Sequence, residues 1–548
     1  MDVRDIIIES LQRTLVGNGI VVDSATIQLE RPANRSHGDW STNTALVNAK
    51  AAGSKPLDLA NSLVDILTDD PPLHVTAVKV AGPGFINFYL ADTWLHDILI
   101  NVVESGVDNW GRFYTGVDQH VIVEFVSANP TGPLHAGHGR GACYGDSIAR
   151  LLERCGHPVT REFYVNDRGT QVRLFGESLR ARASNQELPE DGYHGSYIAE
   201  WAADMPSDVQ PSSWGVQRAI MDQKEVLGLL NISFDTWFSE LSMVESGAIE
   251  DTLTALDTAG ASYNENGAIW LRSSDYGDDK DRVLVKSDGD YTYLLPDVAY
   301  HRDKFSRAPQ VVNVWGADHH GYIARMRSAV TALGHKSECL EVIITQMVSL
   351  QRDGEEVQLS KRTGEIIELN AVIEEVGSDA ARFTYLLQSV DSSQIFDLEL
   401  AASQVSENPV FYVQYAHARV HSIVARANEK NLERLPLNET DLSLLTHDRE
   451  LAVLRSLQEL PEIIYKASSE RSPHQITTWV RDLASLFHGF YHDCRVIGED
   501  VGNDLTQARL WLVEATRIGL VVALNLLGVN APTEMWREEA DCPKEEKL

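Results

Sequence analysis

Basic residues are scarce in this chain. Across 548 residues, 47 Lys and Arg stand against 80 Asp and Glu, a formal charge of −33. Binding to a polyanion normally rests on lysines and arginines that neutralise phosphates, so composition alone speaks for a small-molecule enzyme. Cysteine is scarce too. The five, Cys143, Cys155, Cys339, Cys494 and Cys542, lie far apart with no C-x-x-C pair. That excludes a disulfide framework, gives no reason to expect protein-bound zinc, and fits a reducing, cytoplasmic compartment. Long apolar runs are missing: the longest, residues 518–529, is interrupted by Asn525 and is too short to cross a bilayer. Asp2, Arg4, Asp5 and Glu9 break up the N-terminus, so no signal-peptide core forms and no membrane partner is expected. There is no internal repeat, no low-complexity tract and no G-x-x-x-x-G-K-[ST] phosphate loop.

What is present is an ordinary folded composition, 43% hydrophobic and 23% charged, long enough for about three or four domains. Residues 1–108 read as a first unit, with a helical start (Ile6, Ile7, Leu11, Leu15) and a strand over 85–90. From 119 to 165 the pattern is strand, Pro/Gly-rich turn, amphipathic helix and strand, with Gly156 and Pro158 as the stop. A second such series has strand 311–315, helix 322–333 and strand 342–348. Strands alternating with helices predict a doubly wound parallel sheet over 109–408, whose halves are separated by an insertion. After Asn408 helical spacing takes over, with Pro436, Pro461 and Pro473 expected to break it into separate helices, so 409–548 is predicted to be all helical. None of the three parts is basic: their net charges are −7, −20 and −6.

Between the first strand and its helix lies Ser127-Ala-Asn-Pro-Thr-Gly-Pro-Leu-His-Ala-Gly-His-Gly-Arg140. Two histidines three apart at a helix start sit where free N–H groups and the helix dipole favour a phosphate. Their rings can donate to phosphate oxygens as charge shifts in a transition state. A plain glycine-rich turn with two surface histidines also fits this motif taken alone. Gly137-His-Gly-Arg-Gly-Ala142 matches the dinucleotide pattern G-x-G-x-x-A, yet the strand ends near Val126, about ten residues too early for that tight turn. Downstream, Gln358-Leu-Ser-Lys-Arg-Thr-Gly364 follows a strand and a turn at Asp353-Gly354. A Lys-Arg loop of this kind can close on a triphosphate and neutralise leaving pyrophosphate.

Taken together, the two motifs resemble the HIGH and KMSKS elements of class I aminoacyl-tRNA synthetases, and the surrounding residues resemble arginyl-tRNA synthetases of the bacterial type. Gly82-Pro-Gly-Phe-Ile-Asn-Phe88, Trp315-Gly-Ala-Asp-His-His-Gly321 and Asn408-Pro-Val-Phe-Tyr-Val-Gln-Tyr-Ala-His-Ala-Arg419 carry the likeness across the whole chain. The loop departs from the family pattern at Gln358, Leu359 and Arg362 and keeps the second lysine as Lys361. The resemblance implies an α/β fold: a Rossmann-like catalytic domain, an α+β N-terminal domain and an all-α C-terminal domain that binds the anticodon.

It further implies activation of arginine by ATP, with Mg²⁺ accompanying the nucleotide, and transfer of arginine to the 2′-hydroxyl of the terminal adenosine of tRNA(Arg) by a monomeric enzyme. His135, His138, Lys361 and Arg362 would be catalytic. Pro130, Thr131, Gly132, Gly137, Gly139, Asp318 and Ser360 would meet ATP. Glu124, Asn129, Tyr293 and Asp297 would meet arginine, whose planar guanidinium needs carboxylates or other acceptors. Phe85, Asn87 and Tyr415 would meet tRNA by stacking or edge contact. On the residues themselves, Glu124 within an apolar strand needs a partner, and Pro296 reads as the first position of a helix that places Asp297 in its first turn. Residues 139–183 hold eight arginines against five acids, an expected local basic patch on an acidic body.

Overall fold

The computed structural model describes residues 3–32, 34–357 and 367–535. The chain divides into two compact units: residues up to Gly106 with Ile423–Gln458 and Leu486–Thr516, and Val107–Ser422 with Glu459–Ser485 and the described chain from Arg517.

In the first unit, helix Val3–Gly17 buries Ile7, Leu11 and Leu15 at helical spacing. Strands β1 (Trp40–Thr42), β2 (Val75–Ala81) and β3 (Phe85–Leu90) form an antiparallel sheet in the order β1-β3-β2.

The second unit is built on a five-stranded sheet of β4 (Val121–Glu124), β5 (Val159–Val165), β6 (Thr236–Ser239), β10 (Gln310–Gly316) and β11 (Leu340–Thr345). Its order is β11-β10-β4-β5-β6 and every pairing is parallel. Helix Ala136–Arg154 makes the crossover from β4 to β5, and Gly156, at φ +90°, turns the chain back. The direction of winding reverses between β4 and β10, so a crevice opens beyond their carboxyl ends. The stretch between the two half-sheets supplies β6 and a small antiparallel sheet of β7 (Ser262–Glu265), β8 (Ala268–Leu271) and β9 (Arg282–Val285).

Three boundaries differ from the sequence expectations. The predicted strand 342–348 is two strands: β11 ends at Thr345, and β12 (Val348–Arg352) joins another sheet, with β13 (Glu355–Glu356) and β14 (Gln394–Asp397). Pro461 lies inside helix Asp448–Ser469 and does not break it. The lost backbone bond costs about 3 kcal/mol, and the burial of Leu457, Leu460 and Ile464 around it offsets that cost. Pro296 is the third residue of helix Leu294–Arg307, still within the first turn where no intrahelical N–H is lost. The other long helices of the C-terminal third are Pro409–Glu429, His474–Asp493 and Asn503–Leu527. The last of these is long and apolar enough to cross a membrane, and 72% of its most apolar window is buried within the fold.

Candidate functional site

A cavity of about 1500 Å³ occupies the crevice at the carboxyl ends of β4, β10 and β11. Val126–Asn129 line it after β4, Gly316–His319 after β10 and Thr345–Met347 after β11. The chain turns into it by a strained route: Val126 and Ser127 have φ of 68° and 42°. A β-branched residue in that region is a true outlier, held only because its surroundings over-determine it. Here Ser127 Oγ donates to Glu124 Oε1 at 2.8 Å and accepts from the backbone N–H of Tyr164 at 3.1 Å. No sequence signal marks this bend.

Both histidines line this cavity. His135 is the N-cap of helix Ala136–Arg154, and the ring of His138 folds back so that its Nδ1 accepts from the His135 N–H at 3.2 Å. The imidazoles stack with centroids 3.6 Å apart. Burial lowers both pKa values, that of His138 to about 3 with His135 adding to the effect, so His138 is neutral and carries its proton on Nε2. One free helix N–H expected from the sequence is occupied: Ala136 donates to the Ile367 carbonyl at 2.9 Å.

Two carboxylates line the same cavity, Glu124 buried and Asp297 partly buried. Glu124 is 5% exposed, and its partner is Lys304, with which it makes an ion pair. Asp297, in the first turn of helix Leu294–Arg307, accepts from the Tyr322 hydroxyl at 2.6 Å on Oδ2. Burial raises its pKa to about 7. Glu124 and Glu240 push the same way, against the Tyr322 hydrogen bond and Lys304. Sequence reasoning missed Lys304 and Tyr322: each reaches its acid from a distant part of the chain or across a tertiary contact.

Of the residues singled out from sequence, Glu124, Asn129, His135, Gly137, His138, Asp297 and Asp318 line this cavity. The Asp318 side chain is 81% exposed at its edge. Pro130, Thr131, Gly132, Gly139 and Tyr293 are not among the lining residues. The Thr131 carbonyl accepts from Tyr197 at 2.9 Å and the Gly132 carbonyl from Gln223 at 3.1 Å, so this loop is tied to helices Ser196–Asp204 and Pro211–Leu229. A Cβ on Gly139 would fall 2.5 Å from the Tyr385 ring, which makes that glycine a point of close packing. Tyr293 is 93% exposed as the N-cap of its helix. Ser360, Lys361 and Arg362 lie outside the described residues, but Val357 and Ile367, which flank them in sequence, both line the cavity.

Elsewhere in the chain, Phe85, 40% exposed, shares a cavity of about 330 Å³ with Arg31, His37, Ser41 and Asn87. Asn87 is buried there and accepts from Ser41 Oγ at 2.7 Å. Tyr415, on helix Pro409–Glu429, is half-buried under the Arg419 guanidinium. The arginine-rich stretch 139–183 does not form a free basic patch. Arg140 is 1% exposed and donates to three backbone carbonyls, Arg150 and Arg161 pair with buried Asp146, Arg173 pairs with Glu177 and Arg168 with Glu240. Arginines alternating with acids on one helix and its neighbouring strand neutralise each other before they meet a partner. Arg180 and Arg182, near the end of helix Thr170–Ala183, remain exposed. Among the described residues no group of three or more His, Cys, Asp or Glu could hold a metal ion.

Three family models match in sequence order. The arginyl tRNA synthetase N terminal domain covers residues 1–90, the class I (R) tRNA synthetase catalytic domain covers 103–192 and 215–424, and the DALR anticodon binding domain covers 413–535. An arginine–tRNA ligase of Halalkalibacterium halodurans is 43% identical over 528 residues, 92% of this chain and 94% of that protein. One from Carboxydothermus hydrogenoformans is 41% identical over 548 residues, 96% of this chain and 98% of that protein. The arginyl-tRNA synthetase structure from Thermus thermophilus superposes with a TM-score of 0.75 at 22% identity, over 97% of this chain and all of that one.

Proposed function

The chain belongs to the arginyl-tRNA synthetase family, and from that premise we propose how its residues divide the work of an arginine–tRNA ligase. The enzyme activates arginine with ATP and charges tRNA. In the proposed sequence the arginine carboxylate attacks the α-phosphate, pyrophosphate leaves, and the 2′-hydroxyl of the terminal adenosine of tRNA(Arg) takes the arginyl group from the adenylate. No protein nucleophile is required, since orientation and charge stabilisation supply the rate.

The observation that supports this division is that one cavity is lined both by a stacked pair of imidazoles, His138 held neutral, and by two carboxylates, Glu124 buried and Asp297 partly so. The carboxylate group, Glu124 and Asp297 with Asn129 and Tyr293 nearby in sequence, suits arginine, and Asp297, which has no ion pair with a described cation, is the carboxylate open to the guanidinium, whose fixed donors need acceptors. The histidine pair suits the α-phosphate. His138 Nε2–H and its neighbour His135 donate to the oxygens that gain charge, and a neutral donor does so without first losing a proton. Gly137 keeps the helix start open for ATP, and Pro130, Thr131, Gly132 and Gly139 act by holding the motif in place. Asp318 meets the ribose hydroxyls. Ser360, Lys361 and Arg362 meet the β- and γ-phosphates, in support of which the flanking Val357 and Ile367 border the cavity. Mg²⁺ enters with ATP as part of the substrate.

For tRNA(Arg), Phe85 and Asn87 are proposed as a contact of domain 1–108 and Tyr415 as a contact of domain 409–548, with 109–408 as the catalytic domain. The enzyme is further proposed to be a cytoplasmic monomer. Cys143, Cys155, Cys339 and Cys494 are free thiols, and a charge of −33 keeps copies apart.

Pyrophosphate exchange with ATP and arginine, run with and without tRNA(Arg), tests the reading. Exchange that depends on arginine is expected. Absence of exchange under both conditions, with tRNA still bound, would sink it.

A further inference from the structure

Behind the two carboxylates of the cavity runs a chain of polar contacts buried in the fold. Helix Leu294–Arg307 places Asp297, His301 and Lys304 on one side at spacings of four and three. Lys304 is fully buried, in an ion pair with Glu124 Oε2. Its ammonium also donates to Asn313 Oδ1 at 2.9 Å and lies 4.1 Å from the centre of the Tyr300 ring. Asn313, in the middle of β10 and itself fully buried, donates through Nδ2 to His301 Nε2 at 2.8 Å. His301 Nδ1 in turn donates to the carbonyl oxygen of Asp297 at 2.8 Å. All members have partners, which is the condition under which a buried polar network orders a site rather than weakening it.

The two acids that end this chain are treated differently. Glu124 is met on both oxygens from inside the protein, by Lys304 on Oε2 and by Ser127 on Oε1. Asp297 accepts from Tyr322 on Oδ2 and has no ion pair with a described cation. Two unpaired carboxylates this close would share a proton or draw in a second cation, whereas one open carboxylate matches one guanidinium.

We propose that Lys304 is a positioning residue for arginine selection: it pairs with Glu124 so that Asp297 alone faces the guanidinium as an open anion, and through Asn313 and His301 it steadies the Asp297 backbone. This rests on the assignment of arginine to the two carboxylates.

The test is charging of tRNA(Arg) with radiolabelled arginine by the full-length wild type, Lys304→Met, Lys304→Arg and the double variant Glu124→Gln/Lys304→Met. The wild type is read first, since failure to charge with arginine would overturn the functional assignment and say nothing about Lys304. With that established, Lys304→Met is expected to raise KM for arginine at least about ten-fold, with kcat at saturating arginine and KM for ATP within about three-fold. Lys304→Arg is expected to restore part of the loss. The double variant is expected to bring KM for arginine down at least about three-fold from that of Lys304→Met, because a neutral amide in place of the Glu124 carboxylate no longer needs a cation. A merely structural lysine predicts no such rescue. The proposal is overturned if KM for arginine in Lys304→Met stays within about two-fold of wild type, or if the double variant is no better than the single. Should Lys304→Met fail to fold, the double variant decides: KM for arginine within about ten-fold of wild type supports the proposal, and a larger loss overturns it.

Discussion

The hydroxyl of Tyr322 donates to Oδ2 of Asp297 at 2.6 Å, the hydrogen bond that most stabilises an otherwise unfavourable buried carboxylate. Its consequences are measurable in both binding and stability.

Asp297, with a pKa of about 7 in the folded protein against 3.8 for an ordinary aspartate, holds a proton below neutrality. The charged and titratable groups around it are Glu124 from β4, Tyr164 from β5, Glu240, Lys304 and His301 from its own helix, and Tyr322. A guanidinium needs the carboxylate ionised, so affinity for arginine should rise with pH up to about 7 and level off above it, with proton uptake by buffer on binding below pH 7. Titration calorimetry in buffers of different ionisation enthalpy checks this. The folded state binds a proton that the unfolded state releases between about pH 4 and 7, so this group makes stability fall as pH rises through that window. Asp297→Asn should therefore raise the melting temperature more at pH 8 than at pH 4, while sharply raising KM for arginine. Tyr322→Phe removes the stabilising donor, and the arginine-binding midpoint should move upward in pH.

His138→Ala should slow formation of arginyl-adenylate at least about ten-fold, since removing one transition-state donor costs a few kcal/mol. Because burial keeps this ring neutral, with a pKa of about 3, no limb of the pH–rate profile between pH 5 and 8 should belong to it. Single-turnover measurement with the wild type and this variant checks both points, and an unchanged rate removes the ring from the mechanism.

Gly139→Ala places a methyl group 2.5 Å from the Tyr385 ring. That ring is fully buried, and its hydroxyl donates to the Ala136 carbonyl at 2.8 Å, so it has nowhere to retreat. Overpacking of this kind costs about 1–3 kcal/mol and tilts the helix that carries His138. A lower melting temperature together with slower adenylate formation is the expected result in a thermal scan and an exchange assay.

Arg382 is 1% exposed; it pairs with Asp146 and donates to the carbonyls of Leu230 and Leu527. Asp146 also receives Arg150 at 2.7 Å and Arg161 at 3.2 Å. Truncation of Arg382 leaves Asp146 to Arg150 and Arg161 but strips the Leu230 and Leu527 carbonyls of their donor, so Arg382→Ala should lose about 2–4 kcal/mol in denaturant unfolding. Arg382→Lys should recover little, because an ammonium cannot reproduce the fork that spans a carboxylate and two carbonyls.

The parallel sheet was legible because strand and helix periodicities differ, and because Gly156 and Pro158 punctuate the crossover from β4 to β5. The histidine pair was legible from its place at a strand-to-helix turn. The split between β11 and β12 was not, since the polar pair Thr345-Gln346 inside residues 342–348 does not say which sheet each half joins. Nor was the continuity of the helix through Pro461, where packing on both sides outweighs a strong local signal. The arginines of 139–183 looked like a surface patch because sequence counts charges without showing which acids they face.

Local pattern by itself determined the strand-helix alternation, the histidines at the start of a helix and the acid in the first turn of another, since each depends on residues a few positions apart. Only the tertiary structure decided that Glu124 is paired by Lys304, 180 residues on, while Asp297 is held by Tyr322 and has no ion pair with a cation among the described residues. Burial and long-range contact set which carboxylate stays charged and open, and neither can be read along a chain.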